Sequence, residues 1–141
     1  MFNIKSILFS LLLFFLIFMP GSRLLSQFDS HPELDWFTIE TKHFFIHYHS
    51  GTERTANTAA KIAEDIYGPI TSLYKFEPNE KVNFIINDVS DIANGATDYY
   101  GNRIEIFATA LDYDLRGTNN WLRNVITHEF THAVQFQADL K

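Results

Sequence analysis

Near the end of the 141-residue chain, His128-Glu129-Phe130-Thr131-His132 places two imidazoles and a carboxylate within five residues. Residues four apart on a helix share a face. Both histidines can therefore reach one zinc ion, whose bonds to imidazole nitrogen are about 2.0–2.1 Å long. Glu129 follows the first histidine and points into the same cleft. There it can take a proton from a water held by the ion and pass it on to a leaving amine. The chemistry expected of His128, His132 and Glu129 is hydrolysis with Zn2+ as the metal, the histidines as its ligands and the glutamate as the catalytic base.

Such chemistry needs the three side chains on a helix, and the flanking residues supply one. Leu122, Ile126, Glu129, Ala133 and Phe136 recur at helical spacing with no Gly or Pro between them. Thr118, Asn119 or Asn120 can cap its start. Arg123, Asn124, Gln135 and Gln137 make this helix amphipathic. A site inside a membrane would need about 20 apolar residues around the motif, and that reading is excluded.

Upstream, Trp36 to Glu40 and His43 to His49 read as two strands around Thr41-Lys42. In the second, Phe44, Ile46 and Tyr48 share one face, and Phe45, His47 and His49 the other. His47 and His49 are candidates for a second metal pair, but paired histidines on the polar side of a strand are expected at the surface. A helix from about Glu53 to Tyr74 follows, with an apolar stripe through Ala56, Ala59, Ala60, Ala63, Ile66, Tyr67 and Ile70. Gly68-Pro69 is expected to kink or briefly interrupt it. Lys81 to Asn87 reads as the third strand, which makes a βαβ unit with strands two and three parallel. Asp88 to Asp98, with Asn94-Gly95, reads as a polar loop, and Arg103 to Ala108 as the fourth strand. Thr109 to Asn119 reads as a second solvated loop.

The chain begins with a short basic lead containing Lys5, then an apolar run from Ile7 to Met19 interrupted only by Ser10, then Pro20-Gly21-Ser22. That run is too short for a membrane span of about 20 residues and matches the apolar region of a secretory signal peptide. Residues 1–26 are expected to be this signal, or in the lesser alternative an uncleaved N-terminal anchor, and residues 27–141 one domain. The expected address is periplasmic or extracellular. Across the chain, 11 Lys and Arg stand against 17 Asp and Glu, a net charge of −6, and loss of Lys5 and Arg23 makes the remainder more acidic. Nucleic acid is not an expected partner, because basic patches carry most of such affinity. There is no cysteine, which excludes a thiolate metal site, a cysteine nucleophile and a lipid-bearing cysteine after the signal.

The chain resembles the zincins, and within them the exported bacterial peptidase MA-like proteins of the gluzincin type. The residues carrying the resemblance are Trp36 to Tyr48, Ala93-Asn94-Gly95-Ala96, Trp121-Leu122, and Val125 to Ala133 with its HExxH signature of zinc-dependent peptidases. It implies an α+β fold, the N-terminal subdomain of a zincin, with a mixed β-sheet of about four strands and two long helices, the second carrying HExxH. It also implies a zinc metallopeptidase acting on peptide or protein substrates, with a glutamate on a later helix as third ligand and, often, β-propeller repeats beyond. The strand Arg103 to Ala108 is expected to be the edge strand that pairs with an extended substrate.

Only two of the usual three protein ligands are visible before the sequence stops at Lys141. A metzincin would place Gly and His three and six residues after the second histidine, where Gln135 and Ala138 stand. Asp139 lies about 10.5 Å along the helix from His132, too far to share its ion. The sequence is therefore expected to be an N-terminal portion of a longer metallopeptidase. The alternative from another class is a non-catalytic binding or assembly module that keeps this fold, against which Glu129 argues, since a structural zinc site needs no general base.

Overall fold

The computed structural model describes residues 31–90, 93–98, 100–108 and 120–140. The leader 1–26 and the loop from Thr109 to Asn119 lie outside them. Five strands and two helices follow in the order β1 (Trp36–Glu40), β2 (Phe44–His49), α1 (Glu53–Tyr74), β3 (Val82–Asn87), β4 (Asn94–Asp98), β5 (Arg103–Phe107) and α2 (Trp121–Asp139). The strands form one mixed sheet in the order β1-β2-β3-β5-β4. β2, β3 and β5 run parallel, with β1 antiparallel at one end and β4 antiparallel at the other. The fold is α+β.

Alternation decides which side of the sheet carries the helices. Phe44, Ile46, Val82, Phe84, Ile86, Ile104 and Ile106 are buried on one face, and they join the alanine stripe of α1 and residues Ile126, Phe130, Ala133 and Val134 of α2 in a single core. Small residues at Ala56, Ala59 and Ala63 let α1 lie close to the strands, and all three are essentially inaccessible. α1 continues through Gly68 and Pro69 as one helix rather than breaking there. Thr52, at its N-cap, makes no side-chain cap and donates its hydroxyl to the His49 carbonyl at 2.7 Å. Asn120 does cap α2, accepting the Arg123 N–H on its side-chain oxygen at 3.2 Å.

The sheet corrects two expectations. The segment read as a polar loop from Asp88 to Asp98 ends in β4, so the sheet has five strands rather than about four. Asn94-Gly95-Ala96-Thr97-Asp98 has almost no intrinsic strand preference, and it is its pairing with β5, from Asn94 opposite Phe107 to Asp98 opposite Arg103, that makes it a strand. It follows that Arg103–Phe107 is not the edge. β5 lies between β3 and β4, and β4 is the edge strand at that end.

Candidate metal centre

α2 places the histidines by burying something else. Phe130 is fully buried, its ring 5.2 Å from Phe44 and 5.8 Å from Tyr67 between centroids. At about 100° per residue, His128 and His132 then stand about 160° away on either side of the line opposite Phe130. Both point out of the core. The Nε2 atoms of His128 and His132 meet at 3.0 Å, one imidazole N–H donating to the other ring's lone pair. His132 Nδ1 lies 3.2 Å from Gln135 Oε1, to which it donates, leaving Nε2 as the lone-pair atom. The ring of His132 also stacks on Phe136 at 5.7 Å, nearly parallel. Gln135 and Phe136 thus hold one imidazole with its lone-pair nitrogen, Nε2, turned toward the other.

Two nitrogens bound tetrahedrally to one zinc at about 2.05 Å would be about 3.4 Å apart. The observed 3.0 Å falls short of that by a distance that small rotations of two side chains supply. The pair therefore fits zinc in donor type and spacing, and the hydrogen-bonded Nδ1 of His132 matches the outer support that zinc-binding histidines usually have. Among the described residues, no three His, Cys, Asp or Glu side chains converge as a metal site. Asp139, the last helical residue, is exposed two turns beyond His132.

Glu129 lies about 60° around α2 from His132 and about 100° from Phe130, and unlike the histidines it is buried, at 7% exposed. Its neighbour there is β4. Thr97 Oγ1 lies 2.7 Å from Glu129 Oε2 and 2.9 Å from the Glu129 carbonyl oxygen, with one hydroxyl proton to donate to either. Gly95 lies so close that a Cβ placed on it would be 2.6 Å from Glu129 Cγ, 2.6 Å from Val125 Cγ2 and 2.9 Å from Glu129 Oε1. Only glycine admits this approach of strand to helix. Further along, Gln137 donates to Asn102 Oδ1 at 2.9 Å, and Asn102 in turn donates to the Lys81 carbonyl at 3.0 Å, which ties the end of α2 to the β4–β5 turn and to β3.

Thr97 is the neighbour of Glu129 that nothing in the sequence singles out, whereas Gly95 belongs to the Ala93-Asn94-Gly95-Ala96 segment that carries the resemblance. The signal was present in Asn94-Gly95, which reads as a turn but also as a strand position that a helix approaches closely.

In the second candidate pair the ring nitrogens of His47 and His49 are placed against other partners. His47 lies within hydrogen-bond distance of Thr38 Oγ1 (2.9 Å) and Asn83 Oδ1 (3.1 Å). His49 is buried rather than at the surface, correcting the expectation for it. Its Nδ1 donates to the Ser50 carbonyl at 3.0 Å, and its Nε2 is 2.8 Å from Asp88 Oδ1, close enough for charge pairing though outside hydrogen-bond angles. The parallel β2–β3 register brings Asp88, just past the end of β3, to the end of β2.

Comparisons with protein-family models, with curated proteins and with solved structures gave no match.

Proposed function

We propose that this chain carries the zinc-binding and proton-transferring part of a metallopeptidase of zincin type. The observation that carries the reading is the division of labour on α2. Two imidazole Nε2 atoms converge at 3.0 Å on its outer side, while the carboxylate between them in sequence is held on the flank facing the sheet's edge strand. A buried carboxylate held beside a metal pair, but not within it, is what a general base requires.

His128 and His132 would hold the metal through Nε2, and a third ligand would come from outside the described residues, as the resemblance to gluzincins implies. Zinc bound there would supply Lewis acidity, polarising a carbonyl and making a water more acidic. Glu129 would accept the proton of the attacking water on a carboxylate oxygen and deliver it to the departing amine. β4 ends the sheet and would bind an extended peptide by backbone pairing. This gives to β4 the role first expected of Arg103 to Ala108. Export, by way of residues 1–26, is part of the same proposal; among the described residues no helix is long and apolar enough to cross a membrane.

The test is hydrolysis of unfolded protein by zinc-loaded protein, compared with Glu129→Gln. The expected result is loss of turnover with zinc content unchanged. Full turnover in Glu129→Gln would remove the general base from the mechanism, and with it the reading.

A further inference from the structure

Glu129 has three rotatable side-chain bonds, and nothing in the HExxH spacing decides where its carboxylate rests. Its position follows from β4. In the β4–β5 register Gly95 stands opposite Ile106 and Thr97 opposite Ile104, so both face the helices, whereas Ala96 faces away with Glu105. Gly95 acts by what it lacks, since Oε1 and Cγ of Glu129 occupy the space a side chain there would fill. Thr97 acts by its hydroxyl, which reaches both Oε2 and the main-chain oxygen of the same residue. Among the described residues, Thr97 supplies every hydrogen bond to the Glu129 side chain. A carboxylate with this little exposure needs such a donor.

We infer that Thr97 is the positioning residue of Glu129. Its hydroxyl holds the carboxylate in one rotamer against β4, turned toward the strand rather than toward the imidazole pair. The base is then kept from joining the histidines as a metal ligand. This last consequence rests on the metallopeptidase reading; the positioning itself does not. The edge strand would thereby do two things, presenting its backbone outward and fixing the general base with its inward-facing side chains.

The experiment uses the full chain without metal, isotopically labelled, and reads the three-bond N–Cγ and C′–Cγ couplings of Glu129, which report its χ1 rotamer. Wild type, Thr97→Ser and Thr97→Val are compared. Valine keeps the shape of threonine and removes the donor; serine keeps the donor. Expected are the couplings of a single rotamer in wild type and Thr97→Ser, and rotamer-averaged couplings in Thr97→Val, with the rest of the backbone spectrum unchanged. Should Thr97→Val fail to fold, Thr97→Ala takes its place with the same expected averaging. Unchanged couplings in the variant lacking the hydroxyl would overturn the proposal, as would averaging in Thr97→Ser equal to that in Thr97→Val. Because no metal is present, the result is independent of whether the histidines bind zinc.

Discussion

Replacing Gly95 with alanine gives a prediction whose sign separates two accounts of β4. Alanine at a glycine position of compatible backbone ordinarily stabilises by about 0.4–1 kcal/mol, through the unfolded chain. Gly95 is not in the left-handed region, so its backbone raises no objection to alanine. The objection is spatial. The new methyl would meet Glu129 Cγ and Val125 Cγ2 at 2.6 Å each, where ordinary contact begins at 3.4 Å. The Glu129 and Val125 side chains, or β4 itself, must then give way, and overpacking of this kind costs about 1–3 kcal/mol. With a urea dependence of about 1.5 kcal/mol per M, a net loss of about 2 kcal/mol lowers the unfolding midpoint by about 1.3 M. Val125→Ala removes one of the colliding atoms, so Gly95→Ala with Val125→Ala should lose less than the two single changes added together, with a coupling of about 0.5–3 kcal/mol. Urea unfolding of the four proteins measures this directly. A Gly95→Ala variant as stable as wild type or more so, with additive behaviour in the double variant, would refute the close approach of β4 to α2.

Other consequences can be checked in the same way. Phe130→Ala should cost about 3–5 kcal/mol, a large part of a domain's stability, because the ring packs against Phe44 and Tyr67 at the centre of the core; thermal unfolding reads it, and a loss below about 1 kcal/mol would contradict the burial. Asn120→Ala should cost about 0.5–2 kcal/mol through loss of the cap on Arg123 N–H, with the midpoint in urea as the readout. Glu64 gives a pH dependence. Burial pushes its carboxyl up, but hydrogen bonds from Thr41, from the His43 backbone N–H and from the His43 ring outweigh this and leave it below the ordinary value of 4.5. A carboxylate lowered on folding stabilises above its unfolded pKa, and that stabilisation is lost as pH falls through the lower folded value. Glu64→Gln should therefore be less stable than wild type at pH 7, and the gap should narrow as pH falls below the ordinary carboxylate value of 4.5. A gap that persists at low pH would mean that the carboxylate's charge is not what ties the β1–β2 hairpin to α1.

Most of the elements were legible because burial imposes a period. The alternation of Phe44-Phe45-Ile46-His47 marks a half-buried strand, and the alanine stripe of Glu53–Tyr74 marks a helix against a sheet. The His128–His132 pair was legible for the same reason, four residues being one helical turn. β4 was not, since Asn94-Gly95-Ala96-Thr97-Asp98 takes its extended form from its neighbour β5 and not from its own preferences. Thr97 was invisible with it, because a lone threonine acquires its role only once the strand register turns it toward Glu129. His49 was read as exposed because its partner Asp88, 39 positions on, comes near only through the β2–β3 register.

Zinc content shows whether His128 and His132 hold a metal. The purified chain is equilibrated with excess zinc, dialysed and analysed beside His128→Ala, His132→Ala, Glu129→Gln and His49→Ala. About one zinc per chain is expected, lost in His128→Ala and His132→Ala and retained in Glu129→Gln and His49→Ala. Zinc that stays bound after either α2 histidine is removed, or a wild-type chain that takes up none, would contradict the assignment of the metal to this pair.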